Sequence, residues 1–191
     1  GNRTFIAHSP LGEQLEFRSM EGTEQLSRLF EFRVRLLSDS PSISAKSLLG
    51  KDMSIEIDLT TEDAGSGKRF ISGQVTQFTY IGRDGDFSAY QAVLRPWLWH
   101  ATRRSDFKIF QFKKAPDIIK EVLGKYGFSI EDKLMGNYRE WTYMVQYGES
   151  DFNFVSRLME EEGIFYFFSH SNGSHKLVLA DDIGSVSPLP N

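Results

Sequence analysis

Apolar and polar residues alternate with a period of two over much of the first half of the chain. At positions 30–36 Phe, Val and Leu alternate with Glu and Arg, and at 53–59 Met, Ile and Leu alternate with Ser, Glu and Asp. A strand directs successive side chains to opposite faces of a sheet, so each segment predicts a strand with one buried face. We therefore expect Ser54, Glu56 and Asp58 to face solvent.

Positions 68–81 predict a long strand that contains an irregularity. Ile71 and Val75 share one parity, whereas the aromatic residues at 78 and 80 share the other. A slip of one residue turns a buried face outward, so this change predicts a β-bulge near Thr76.

Turn signals connect the strands of this region. An Asp-Gly pair at 84–85 indicates a hairpin, and the Gly- and Ser-containing positions 63–68 indicate a loop. A short helical turn is expected at 44–49. We therefore predict that residues 1–112 form an antiparallel meander that curls into a β-barrel.

The apolar period changes to that of a helix after Pro116. Pro116 suits the first helical position and Gly127 suits the stop, so a helix is predicted between them. Its apolar stripe contains Ile118, Ile119, Val122, Leu123 and Tyr126.

A second helix is predicted between Ser150 and Gly163. Ser150 is a favourable N-cap, Asp151 suits the first turn, and Gly163 suits the C-terminal cap. A strand pattern at 141–147 precedes this helix, and an Asn-Gly pair at 172–173 predicts a hairpin after it. The expected buried stripe of the helix contains Phe152, Val155, Leu158 and Met159. Residues 113–180 thus predict a small α/β subdomain.

Composition excludes several classes of protein. The chain of 191 residues has no cysteine, which removes disulfide frameworks, thiol nucleophiles and cysteine-ligated zinc. Its net charge of −4 argues against a general nucleic-acid binder. No apolar run approaches the roughly 20 residues of a membrane span, and the N-terminal residues lack a signal-peptide pattern.

Two charged clusters are candidate interface residues. Glu160, Glu161 and Glu162 stand at the C-terminal end of a predicted helix, where negative charge opposes the helix dipole. Arg103 and Arg104 belong to a basic cluster in an acidic chain. Solvated faces are the simpler explanation of both clusters, and electrostatic docking surfaces are the alternative.

Residues with catalytic or ligand-binding chemistry form no recognisable site. The Gly-Ser-Gly-Lys segment at 65–68 lacks the flanking residues of a phosphate loop. None of His8, His100, His170 and His175 stands in a metal-binding helical pair. The sequence therefore predicts no catalytic residue, no metal and no cofactor.

Residues 146–168 carry a specific motif, QYGESDFNFVSRLMEEEGIFYFF. The motif resembles the pattern QYxESDxxFxxRLxEEEGIxYFF of the VgrG family of type VI secretion spike proteins, at every defined position. The resemblance extends in family order over nearly the whole chain. Further matches lie at His8–Leu11, Leu48–Gly50, Gly73–Val75, Arg95–Trp99, Ile109–Gln111, Asp117–Ile119 and Leu179–Asp181.

The resemblance implies a mostly β fold with an α/β part. A phage tail hub-like antiparallel β-barrel, built as a tail-tube-like domain, is expected at 1–112. A small α/β subdomain is expected at 113–180, and 181–191 are expected to start a segment that leads to a second barrel. The family consists of structural hub and spike components, so no enzyme activity and no cofactor are implied.

The resemblance also implies partners and a location. Family members form homotrimers in the full-length protein, cap the Hcp tube, contact baseplate components and carry C-terminal spike domains. No nucleic acid and no membrane-spanning segment are implied. Assembly is expected in the bacterial cytoplasm, followed by secretion through the type VI apparatus without a signal peptide. We expect the 191-residue chain alone to be largely monomeric, because family trimers depend on the C-terminal needle.

Two alternatives remain open on sequence alone. The first is the tail hub of a contractile phage or prophage, which has the same fold and a similar role. The second, from another class, is a cell-wall-active hydrolase, which needs two carboxylates that face each other across a cleft. Candidate pairs for it are Glu56 with Asp58, Asp84 with Asp86, and Glu149 with Asp151.

Overall fold

The computed structural model describes residues 3–59 and 67–186. These residues form eleven strands, two α-helices and several short 3-10 segments. The strands are β1 Thr4–His8, β2 Glu16–Thr23, β3 Glu31–Ser38, β4 Asp52–Asp58, β5 Lys68–Asp84, β6 Phe87–Arg95, β7 Ser105–Lys114, β8 Ile130–Lys133, β9 Glu140–Ser150, β10 Phe165–Ser171 and β11 Ser174–Ala180. The helices are α1 Ala115–Gly124 and α2 Asp151–Glu162.

The described residues group into two compact units. The first takes those within Gly1–Gln25, Leu29–Pro96 and His170–His175, and the second takes those within Leu26–Arg28, Trp97–Ser169 and Lys176–Asn191. The longest continuous segment of the second unit begins at Trp97, ahead of residue 112, because β7 pairs with β9 and not with the first sheet. The division of the chain into domains at 1–112 and 113–180 remains a prediction.

A six-stranded antiparallel sheet forms the first unit, in the order β1-β4-β5-β6-β3-β2. The predicted simple meander is wrong, because β3 pairs with β6 and β1 pairs with β4. The sheet curls into a half-barrel, which confirms the predicted mostly β, hub-like fold. Its edge strands meet where the rings of Phe5 and Phe17 stack with centroids 5.1 Å apart. The largest side chains buried in this unit belong to Phe30, Leu36, Leu48, Met53, Ile55, Tyr90 and Leu94.

Strand β4 is buried on both faces, whereas β3 shows the predicted alternation. The expectation that Ser54 and Glu56 face solvent is therefore wrong. The Ser54 hydroxyl lies 2.7 Å from that of Ser72 and accepts a hydrogen bond of 2.8 Å from the Gly173 amide. The Glu56 carboxylate lies 3.2 Å from the Lys68 ammonium. These partners satisfy the polar groups, which removes the cost of burying them.

The predicted irregularity in β5 is confirmed at Thr76. Pairing with β6 shifts between Val75 and Gln77, so Thr76 is the extra residue of a bulge. Its hydroxyl donates to the Val93 carbonyl at 3.2 Å and accepts from Arg95 at 2.8 Å. The predicted hairpin at 84–85 is also confirmed, whereas most of the predicted loop at 63–68 lies outside the described residues.

Both predicted helices are present in the second unit, although α1 ends at Gly124, ahead of the predicted stop at Gly127. Pro116 lies in the first turn of α1, and the α2 N-cap Ser150 accepts a hydrogen bond of 3.0 Å from the Asn153 amide. Gly163 ends α2 with a left-handed φ of 70°. The predicted stripe of α2 needs one correction, since Phe154 is buried whereas Phe152 is only half-buried.

A three-stranded sheet has the order β10-β11-β8. Most of its residues belong to the second unit, whereas His170–His175 of its hairpin belong to the first. The β10–β11 hairpin was predicted, but β8 was not, because its four residues are too few for a clear period. Strand β8 runs parallel to β11. Among the helices that the structure describes, none is long and apolar enough to cross a membrane.

Candidate functional site

Strands β7 and β9 form a two-stranded ribbon whose two faces differ in environment. On one face Phe110 is buried and stacks on Phe154 of α2, with ring centroids 5.7 Å apart. The opposite face carries large apolar side chains that are 63–79% exposed. We call this set the aromatic face; it contains Phe107, Ile109, Tyr143 and Tyr147.

A β-bulge at Gly148 shapes one end of the aromatic face. Pairing shifts between Asp106 and Phe107, and Gly148 has a left-handed φ of 62°. A Cβ atom at Gly148 would lie 2.9 Å from Cζ of Phe107, so only glycine lets this ring lie over the backbone. The Phe107 ring also meets Tyr147 edge-on, with centroids 5.2 Å apart. The glycine of the 146–168 motif thus positions two aromatic side chains.

The motif continues into a buried carboxylate at Asp151. Its side chain is fully buried and accepts hydrogen bonds from the Tyr126 hydroxyl at 2.6 Å and the Gln146 amide at 2.8 Å. The Lys125 ammonium lies 2.7 Å away. Burial by itself would raise the pKa of Asp151, but the hydrogen bonds from Gln146, Lys125 and Tyr126 outweigh burial and hold its pKa below the usual range.

The neighbouring Glu149 is held by a second set of partners. It pairs with Arg157 at 2.5 Å and accepts from the Asn153 side chain at 2.6 Å. The bond from Arg157 is the main cause of its lowered pKa. Glu149 and Asp151 are one of the candidate pairs for a hydrolase. Both carboxylates are instead engaged by hydrogen bonds and ion pairs where β9 meets α2.

The predicted acidic interface residues lie at the C-terminal end of α2. Glu160 and Glu161 are exposed, and Glu161 lies 3.3 Å from Arg139. Glu162 is less exposed and accepts a hydrogen bond of 2.7 Å from the Trp141 indole. Part of the acidic run is thus explained by contacts within the second unit, and its role as an interface stays a prediction.

The predicted basic interface residues lie at the end of the Trp97–Arg103 turn and directly before β7. Arg103 and Arg104 are exposed, and their guanidinium groups lie over the rings of Trp99 and Tyr126, at 5.3 and 5.2 Å from the ring centroids. Stacking on a ring holds each group without neutralising its charge. Both arginines stay interface candidates.

Two histidines have buried surroundings that sequence reasoning missed. Nε2 of His170 lies 2.8 Å from Glu24, and its Nδ1 accepts from the Ser72 amide at 3.0 Å. His175 is buried and meets Phe30 edge-on, with ring centroids 5.7 Å apart. Burial, together with the nearby His170, lowers the pKa of His175 to about 4.

The lowered pKa of His175 predicts a loss of stability in weak acid. An unfolded histidine has a pKa of about 6.5, so between about pH 6.5 and 4 the unfolded state binds more protons than the folded state. This histidine should therefore lower the free energy of unfolding by about 2 kcal/mol from pH 7 to pH 5. Urea unfolding at each pH measures the loss, and His175→Gln, which cannot titrate, should remove most of it. An equal loss in the variant would contradict the assignment.

Comparison with known proteins identifies relatives along nearly the whole chain. The family model of the phage tail baseplate hub (GPD) matches residues 23–191. The Pseudomonas aeruginosa spike protein VgrG1c is 48% identical over 179 residues, which cover 93% of this chain and 24% of that protein. VgrG1a of the same organism is 47% identical, over 92% of this chain and 27% of that protein. The chain thus spans about a quarter of the length of these relatives.

Solved structures are similar over the same extent. The E. coli c3393 protein, a component of the type VI secretion system, superposes with a TM-score of 0.78 at 25% identity. The match covers 97% of this chain and 51% of that one. A tail protein from Neisseria meningitidis shares the fold, with a TM-score of 0.61 at 10% identity. The chain therefore belongs to the phage tail baseplate hub family and is similar, over most of its length, to the VgrG spike proteins of type VI secretion.

Proposed function

We propose that this chain is a structural hub module of a type VI secretion spike, which assembles as a homotrimer and caps the Hcp tube. The observation that carries the proposal is the identity of 46–48% with three VgrG spike proteins over more than nine-tenths of the chain. The similarity in fold to c3393 supports it independently.

The chemistry of the chain is consistent with a mechanical role. At the buried polar site around Asp151, the carboxylate is engaged in hydrogen bonds and an ion pair with residues of the second unit. Such a satisfied buried network makes a local structure rigid, which suits a part that transmits force. In this proposal the hub makes and breaks no covalent bond and uses no cofactor.

The proposal includes a route and a set of partners. The hub assembles with the Hcp tube and baseplate components in the bacterial cytoplasm, and it leaves through the type VI apparatus without a signal peptide. It engages no nucleic acid, in keeping with a net charge of −4.

Replacement of the matching segment of P. aeruginosa VgrG1c by this chain tests the proposal. We expect the chimera to form trimers in light scattering and to restore Hcp secretion to a strain that lacks VgrG1c. The same chimera with Thr23→Ala, a substitution at an exposed position, is the control, and it should form the same trimers and restore Hcp secretion equally.

A chimera that is stable and trimeric but secretes no Hcp would favour the phage-tail alternative. A chimera that is stable but monomeric would contradict the hub proposal itself. Peptidoglycan cleavage lost on Glu149→Gln would instead support the hydrolase.

A further inference from the structure

We infer that Asn172 is a site of spontaneous deamidation, and that docking of its hairpin turn on β4 and β5 controls the reaction. Asn172 and Gly173 are the two residues that join β10 to β11. The segment His170–His175 belongs to the first unit, as do β4 and β5. The reaction needs only the chain and water, so it is independent of the proposed function.

The chemistry of deamidation needs the residue pair that this turn provides. Hydroxide removes the amide proton of Gly173, and the backbone nitrogen attacks Cγ of Asn172. The side-chain nitrogen takes a proton from water and leaves as ammonia, so a five-membered imide forms. Water then opens the imide at either carbonyl and gives aspartate or isoaspartate. Glycine has no side chain to hinder the attack, and this exposed asparagine is the only one in the sequence that precedes a glycine.

The structure engages the attacking nitrogen. The Gly173 amide donates a hydrogen bond of 2.8 Å to the hydroxyl of Ser54 in β4. This hydroxyl lies 2.7 Å from that of Ser72 in β5, and both serines are buried. Such a bond keeps the proton on the nitrogen and fixes the nitrogen in place. Loss of the proton and attack on Asn172 therefore require that the turn first opens locally.

A chain of hydrogen bonds encloses Asn172 from both sides. The Ser72 hydroxyl donates to the Ser171 carbonyl, so it accepts from Ser54, which in turn accepts from Gly173. The two peptide groups that flank Asn172 are thus clamped by one pair of buried hydroxyls. Chains of this kind strengthen their members and make the local structure rigid. Rigid flanks restrict the rotation that brings the side-chain carbon of Asn172 to the next nitrogen.

Isoaspartate at this position would not fit the docked turn. It carries the chain through the former side-chain carbon, which adds one atom to the backbone between Ser171 and Gly173. The length of a two-residue turn fixes the register of its strands, so the extra atom displaces Gly173 from Ser54. Deamidation through isoaspartate is therefore a one-way change that leaves the turn undocked.

Mass spectrometry of the folded chain, aged at slightly alkaline pH, tests the control by docking. Ser54→Ala removes the acceptor of the Gly173 amide, and the loss of one hydrogen bond should raise the deamidation rate at Asn172 roughly five- to tenfold. Ile55→Val is the matched control, because it shortens the next, buried side chain of β4 at a similar cost in stability and touches no hydrogen bond. It should keep the wild-type rate. Asn172→Gln should abolish the mass change in this peptide.

Circular dichroism checks that each variant is folded, and the urea-unfolded chain gives the rate without docking. Equal acceleration by Ser54→Ala and Ile55→Val would overturn the inference, because opening would then be global. A folded wild-type chain that deamidates as fast as the unfolded chain would also overturn it. If Ser54→Ala does not fold, Ser72→Ala breaks the same chain of hydrogen bonds from β5 and should give the same acceleration.

Hydrogen exchange tests the consequence of the modification. The Ser72 amide donates to Nδ1 of His170 at 3.0 Å, next to the clamped turn. In the separated isoaspartate form this amide should exchange faster than in the unmodified chain, because the turn no longer docks on β5. Unchanged exchange of the Ser72 amide would show that the turn stays docked and would refute the one-way release.

Discussion

Asp151→Ala is expected to lower the free energy of unfolding by about 2–4 kcal/mol, because two hydrogen bonds to a buried charged acceptor are lost. The substitution removes the acceptor for the Tyr126 hydroxyl and the Gln146 amide, and Gln146 is itself buried. It also separates Lys125 from its partner at 2.7 Å, although this lysine can still reach water. Urea unfolding followed by tryptophan fluorescence measures the loss.

Two controls separate the network from a general effect of losing an acid. Asp117→Ala removes an exposed carboxylate from the first turn of α1 and should cost less than about 1 kcal/mol. Asp151→Asn keeps an acceptor but loses the charge. Its loss of unfolding free energy should therefore lie between those of Asp117→Ala and Asp151→Ala. Because the folded pKa of Asp151 is lowered, the advantage of aspartate over asparagine should be full above about pH 4 and should fade in stronger acid. Equal losses for Asp151→Ala and Asp117→Ala would refute the central role of Asp151.

Gly22→Ala is expected to be similarly costly, at about 3–4 kcal/mol, because it combines backbone strain with a collision. Gly22 lies in β2 opposite Phe32 of β3, with a φ of 153° that side chains rarely adopt. An added Cβ would press on the Glu31 carbonyl oxygen and lie 2.6 Å from Cδ1 of Phe32. The backbone of β2 would have to move away from β3.

Thr23→Ala is the matched control for this strand, because Thr23 is the next residue and is exposed. It should cost less than about 1 kcal/mol, within the range of strand propensities. Hydrogen exchange of the β2 and β3 amides should quicken in Gly22→Ala and stay slow in Thr23→Ala. A Gly22→Ala protein with wild-type stability would show that the close approach of the two strands is not required.

Part of the candidate site could be read from local patterns. Ser150 as N-cap and Gly163 as C-terminal residue of α2 follow from preferences that act within one turn of helix. The bulge at Thr76 follows from parity in a single strand. Sequence reasoning could also have found His175, since it shares the parity of the buried Leu177 and Leu179 in β11.

The aromatic face could not be recognised in the same way. Strand β7 carries large apolar residues on both faces, with Phe107 and Ile109 on one and Phe110 on the other. Periodicity alone cannot tell which of two apolar faces is covered. The answer depends on α2, which supplies Phe154 to the inner face from more than forty residues further along the chain.

The sequence by itself determined most of the strands, both helices, the caps of α2 and the family, because these depend on neighbours along the chain and on a contiguous motif. Only the tertiary structure decided the order of strands in the first sheet, the burial of Glu56, and the central place of Asp151. Each of these depends on partners that lie far apart in sequence: β3 reaches β6, and Asp151 meets Tyr126. Side chains that look alike in a local pattern become buried or exposed according to what the fold places over them.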